Sequence, residues 1–267
     1  MRFQLSPIIF QIGPFALRWY GLMYVAAVLV GVWLAGKEAE RRKLPITADE
    51  IMNFGLLAMF SGILGGRIYY VVFNWDFYGR NLWEIPQIWH GGLAIHGGLV
   101  GGVLAGFLYL RNHPVPTFAF ADSVAPSIML GQVFGRFGNF MNGDAHGVPT
   151  DSMFGVVFPA ESIAGRQFPD MTIHPVMLYE LVLNLIWFLI LRKLRLRDHK
   201  ASFVFCMYFI LYSIGRAAVS GFRADSLWFG PVRAAYIASA VLIVVFGFII
   251  YRYRLWEGEG ASEKSSA

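Results

Sequence analysis

The sequence predicts an all-α polytopic membrane protein, and three observations lead there. Of its 267 residues, 57% are hydrophobic and only 15% are charged, where a soluble domain would carry about 25% charged residues. Mean hydropathy is +0.53. Three windows, Trp19 to Gly36, Ile85 to Leu110 and Ala234 to Tyr251, contain no Asp, Glu, Lys or Arg. A helix needs about 20 mostly apolar residues to cross roughly 30 Å of hydrocarbon, so each window reads as a span. A single Cys and the high apolar content exclude a disulfide scaffold and a disordered chain.

Four further apolar runs are interrupted by one or two charges. They cover about 51–73 with Arg67, 118–137 with Asp122 and Arg136, 175–191 with Glu180, and 202–220 with Arg216. Seven transmembrane helices in a single domain, 1–256, are therefore expected, followed by a disordered cytoplasmic tail at 257–267. Arg2 is followed by Pro7 and Pro14 before the first apolar run, which does not fit a cleavable signal peptide. The stretch 138–174, rich in Gly and Pro, is expected to form a small extracytoplasmic cap.

Lys and Arg set the orientation. Thirteen of the 22, including all five lysines, follow the first, third, fifth and seventh spans, and six lie on the opposite side. The N-terminus is thus expected outside and the C-terminus in the cytoplasm. This bias toward anionic lipid accounts for the net charge of +5 without nucleic acid.

Orientation then places the interrupting charges. Arg67, Arg136 and Arg216 fall roughly 14–18 residues along outward-running helices, about 20–27 Å from the cytoplasmic end. His96, Tyr179 and Glu180 fall near the outer starts of inward-running helices, with Tyr20 at a similar level. Ionisable groups inside a membrane are costly and mark functional sites. Three arginines at one depth, with Glu180 to balance one, call for an anion, and Arg binds phosphate in bidentate fashion. Arg67 is expected to be mainly structural, paired with Glu180. Glycines 62, 66, 97, 98, 101, 102 and 106 read as close helix packing.

The densest polar segment is GRFGNFMNGDAHG, residues 135–147. It places Arg136, Asn139, Asn142 and Asp144 together, offering a cation and amide donors and acceptors for a head group or a peptide. This segment resembles the signature of the prolipoprotein diacylglyceryl transferases. ALRWYGLMY (16–24), GGRIYYVVFN (65–74), WHGGLAIHGGLVG (89–101), HPVMLYE (174–180) and YSIGR (212–216) resemble that family's other blocks, in its order.

The resemblance implies transfer of the diacylglyceryl group of phosphatidylglycerol to the lipobox cysteine of a prolipoprotein, forming a thioether and releasing glycerol 1-phosphate. It implies a bacterial cytoplasmic (inner) membrane, an active site facing the outer leaflet, and no cofactor or metal. By the same resemblance, Arg136 and Arg216 would hold the phosphate, and His96 would take the thiol proton directly or through Tyr212. Tyr20, Asn139, Asn142, Asp144, Gly147 and Arg223 would line the substrate site. Two positions depart from the family pattern. Asp144 stands where many relatives have Glu, and Ser220 stands where some have Glu. Cys206 reads as a buried small hydrophobe. A transporter or channel for an anionic solute is the alternative, opposed by the clustering of polar groups at one depth and by the lack of an inverted repeat.

Overall fold

The computed structural model describes residues 6–13 and 15–258. The chain forms two compact units, one of residues up to 34 and from 118 onward, the other of residues 35–117. Among the described residues it is mostly helical, with two short hairpins that apolar periodicity does not reveal. The first pairs β1 (Ile8–Ile12) with β2 (Phe15–Arg18) and leads into α1 (Trp19–Arg41).

In the unit of residues 35–117, α2 (Ala48–Phe73) opens on a capping box. The Thr47 hydroxyl accepts from the Glu50 N–H, and the Glu50 carboxylate accepts from the Thr47 N–H at 2.7 Å. A short α3 (Trp75–Tyr78) and two 3-10 turns, 82–84 and 88–90, precede α4 (Ile95–Arg111). The span expected from Ile85 is corrected here. Pro86 brings no N–H, and Gly91 and Gly92 adopt φ of +89° and +79°, so the backbone becomes helical only at Ile95. Helices α2 and α4 pack against each other. A Cβ on Gly98 would lie 3.3 Å from the Gly62 carbonyl oxygen, and one on Gly97 or Gly101 would strike the carbonyl of Gly65 or Ser61. The glycines therefore serve helix contact, as expected.

Arg67 departs from expectation. Its Nε donates to the Ile85 carbonyl at 2.7 Å, and its Nη1 to those of Gly91 and Gly92 at 2.7 and 2.9 Å. Its Nη2 donates to the carbonyls of Glu84 and Gln87 at 2.5 and 3.5 Å. All five N–H groups thus meet backbone oxygens of segment 84–92, and the guanidinium also lies over the Tyr78 ring. The partner of Arg67 is thus a loop and not the expected Glu180.

In the other unit, α5 (Thr117–Asn142), α7 (Val176–Leu194) and α8 (Phe203–Ser220) share a core of Ala125, Met129, Phe188, Leu191, Val204, Tyr208 and Leu211. Asp122, fully buried on α5, accepts from the N–H groups of Ser202 (3.0 Å) and Phe205 (2.8 Å). It supplies the acceptor that the first turn of α8 lacks. A hairpin of β3 (Trp228–Phe229) and β4 (Val232–Arg233) leads into α9 (Ala234–Tyr253).

The cap begins later than expected, because α5 runs on to Asn142 before Gly143 turns the chain at φ +64°. It contains α6 (Ile163–Gln167) and backbone bridges Gly147–Arg223, Pro149–Ile173 and Val156–Ile173. Val156, Phe158, Ala164 and Ile173 bury themselves against Val176 and Met177 of α7 and Val219 of α8.

Among the described residues, four helices, α1, α2, α8 and α9, are long and apolar enough to cross a membrane by length and composition. Helix α9 keeps Val244 69% and Phe248 63% exposed, apolar surface suited to lipid. Most of the tail expected to be disordered, 259–267, lies outside the described residues; Glu257 lies within reach of Lys200 (3.8 Å) and Arg254 (3.7 Å).

Candidate active site

Three arginines meet on one carboxylate. Glu180, in the second turn of α7, receives Arg136 of α5 (Nε to Oε2, 2.8 Å) and Arg216 of α8 (Nη1 to Oε1, 2.9 Å). Arg223, just past α8, places Nη1 at 2.9 and 3.1 Å from the two oxygens. A carboxylate offers about four lone-pair sites, enough for the four close contacts that the three guanidiniums make.

Arg223 is itself held by Asp225, through Nε to Oδ1 (2.8 Å) and Nη2 to Oδ2 (2.6 Å). Burial pushes the Asp225 carboxyl up, but the hydrogen bonds and charge of Arg223 outweigh it and keep Asp225 below its ordinary range. Asp225 was missed in the sequence, where its only trace is its position two residues beyond Arg223.

Exposure separates the three cations. Side-chain exposure is 21% for Arg136 and 26% for Arg216, against 5% for Arg223 and 6% for Glu180. Arg136 and Arg216, with Glu180, Asn184 and Tyr212, line a cavity of about 10 Å³, room for roughly one water. Glu180 thus sits between Arg136 and Arg216, the two arginines expected to hold phosphate. Arg223, expected at the substrate, braces Glu180 and does not line the cavity.

The signature segment extends outward from Arg136. Its Nη1 donates to Asn139 Oδ1 (3.3 Å), and Asn139 Nδ2 donates to Asp144 Oδ1 (2.6 Å). Burial lifts the Asp144 carboxyl above its ordinary range, opposed by hydrogen bonds from Asn139 and Asn142 and by Arg136. Tyr20 lies on the signature backbone: a Cβ on Gly138 would sit 2.7 Å from its ring. The adjacent Trp19 meets Phe137 edge-on at 5.9 Å.

Gly147 lets the cap lie flat on its neighbours, since a Cβ there would come within 2.8 Å of the Phe222 carbonyl oxygen and 2.5 Å of that of His174. Its place is thus beside the Arg223 backbone, which it pairs. Tyr212 stacks on Tyr208, whose hydroxyl accepts from Gln132. Cys206 is buried, as expected. His96, in the unit of residues 35–117, occupies the first turn of α4, exposed and with its ring 6.1 Å from that of Tyr69.

The family model for prolipoprotein diacylglyceryl transferase matches residues 7–252. The chain belongs to the prolipoprotein diacylglyceryl transferase family. Among relatives named phosphatidylglycerol--prolipoprotein diacylglyceryl transferase, one from Fusobacterium nucleatum is 39% identical, covering 92% of this chain and 97% of its own. Another, from Bacillus cereus strain G9842, is 40% identical, covering 96% of this chain and 95% of its own. Membership in the diacylglyceryl transferase family accords with several apolar helices in a multi-pass membrane protein. It also speaks against the transporter alternative.

Proposed function

We propose that this protein transfers the diacylglyceryl group of phosphatidylglycerol to the lipobox cysteine of prolipoproteins, the first step of lipoprotein maturation. The observation that carries the reading is the convergence of Arg136, Arg216 and Arg223 on Glu180, with the first two still partly open. The names and near full-length coverage of the relatives support it.

The thiolate sulfur attacks the glycerol carbon that bears the phosphate. The C–S bond forms, the C–O bond breaks, and the electron pair leaves on the phosphate of glycerol 1-phosphate, while the thiol proton passes to a base. Arg136 and Arg216 hold that phosphate, and their charge stabilises it most as it departs. Glu180, itself fixed by Arg223 and Asp225, keeps the two guanidiniums aimed before lipid arrives and yields its place between them to the phosphate. Asn139 steadies Arg136. Tyr20 and Asn142 contact substrate beside the signature. For His96, the resemblance supports the role of proton acceptor.

The finer topology is part of the same proposal: seven spans, N-terminus outside, C-terminus in the cytoplasm, in a bacterial inner membrane with the cap and the arginines toward the outer leaflet. The excess of lysine and arginine on one side supports it. Purified protein, phosphatidylglycerol and a lipobox peptide, followed by mass spectrometry, test the activity. A diacylglyceryl mass gain on the cysteine peptide and none on its Cys→Ser counterpart is expected; no gain on either contradicts it. A wild-type rate in His96→Gln across about pH 6–9 would remove His96 as the base.

A further inference from the structure

A cavity of about 600 Å³ opens between the N-terminal hairpin, the end of α5 and the cap. That size is typical of ligand sites, about 300–1,000 Å³. Its polar wall includes Arg18 and Arg166 on one hand and Asp144 and Glu161 on the other, with Asn142 between. Resting on the function proposed above, we propose that this cavity receives the stretch of prolipoprotein that follows the acceptor cysteine, bound as extended polypeptide.

Two observations choose polypeptide over lipid phosphate. The Asn142 Oδ1 is buried with no hydrogen-bond partner among the described residues, and the neighbouring Asp144 is half-buried on the same wall. The Asn142 oxygen is an acceptor that calls for a donor, which a peptide backbone supplies at every residue and a phosphate group does not. The wall also carries both signs of charge, which suits a strand of alternating N–H and C=O groups and polar side chains. A phosphate would meet two carboxylates there.

Position gives the second half. Asp144 lines the cavity and is joined through Asn139 to Arg136. A chain whose cysteine lies at the arginines can therefore continue past Asp144 into the cavity, at about 3.3 Å per extended residue. Glu161 and Arg166 are exposed and take no part in the arginine cluster, so substitutions there address the cavity and not the clamp.

The test compares two lipobox peptides with the full-length enzyme, one ending just after the cysteine and one continuing for several polar residues. The continued peptide should have the lower KM, by about tenfold, the size of effect expected from a few buried contacts. In Glu161→Gln/Arg166→Gln that advantage should shrink toward unity, and Glu161→Lys should move preference from peptides with Lys beyond the cysteine to peptides with Glu. Equal KM for the two peptides, or an unchanged advantage in the double variant, overturns the proposal. So does a change in the KM for phosphatidylglycerol in place of that for peptide, which would assign the cavity to the lipid head group. Binding of a fluorescent continued peptide carrying Cys→Ser separates the two readings. Saturable binding that the double variant weakens, with no transfer by wild type, would leave the cavity site standing and remove the catalytic function.

Discussion

Arg223 donates to both carboxylate oxygens of Glu180, at 2.9 and 3.1 Å, from a side chain only 5% exposed. A buried carboxylate so held is part of the frame that aims Arg136 and Arg216. Removing its charge leaves buried cations without their counterion. Glu180→Gln should therefore destabilise the protein by about 3–5 kcal/mol, the range seen when one partner of a buried ion pair is lost. Denaturant unfolding in detergent micelles checks this; an unchanged midpoint would show that the cluster contributes nothing to stability.

Arg67 answers five carbonyls from three nitrogens, a geometry that only a guanidinium provides. Arg67→Lys keeps the charge but has three donors, so at least two carbonyls lose theirs, each at about 1–3 kcal/mol if left unsatisfied. Hydrogen exchange across 84–92 should accelerate in the lysine variant. Equal protection in the two proteins would mean that charge alone holds the loop.

How much was legible in the sequence differs between these two sites. The apolar runs and the glycine spacing announced α1, α2, α5, α7, α8 and α9 because helix burial repeats along the chain. Arg67, Arg136 and Arg216 stand out in the sequence as charges inside apolar runs, where few are expected. Their partners do not. Glu180 binding three guanidiniums, and Asp225 binding Arg223, depend on where distant elements meet, and no periodicity encodes that. The partner of Arg67 is not legible, since backbone carbonyls of an irregular loop leave no mark in residue type. The start of α4 was misplaced because apolar residues 85–94 satisfy composition while Pro86, Gly91 and Gly92 break the helix.

His146 is 3% exposed, with Nε2 against Gln167 at 2.9 Å. Burial pushes its imidazole below the ordinary range, opposed by that hydrogen bond. The unfolded chain therefore binds a proton more readily than the folded one. Its contribution is present above the unfolded pKa, about 6.5, and is lost as pH falls through the lower folded value. Stability should decline from pH 7.5 to pH 5, by an amount that shrinks in His146→Asn. Parallel pH profiles for the two proteins would show that His146 titrates alike in both states.

Gly138 lies beneath the Tyr20 ring, and an added Cβ would sit 2.7 Å from it. Gly138→Ala should cost about 1–3 kcal/mol as an overpacked contact, even though alanine favours helix. Thermal unfolding beside Gly135→Ala, where nothing lies within 4 Å of the new methyl, separates the two effects. If both variants are equally stable, Tyr20 does not need that close approach.

On the function proposed, Arg136 and Arg216 stabilise the departing phosphate. The most direct measurement is the initial rate of diacylglyceryl transfer from phosphatidylglycerol to a lipobox peptide, read by mass spectrometry, for wild type, Arg136→Ala and Arg216→Ala at matched folded fraction. Each variant should lose about 10²–10³ in rate, the usual cost of removing a donor at a developing anion. Transfer near the wild-type rate in either variant would contradict it.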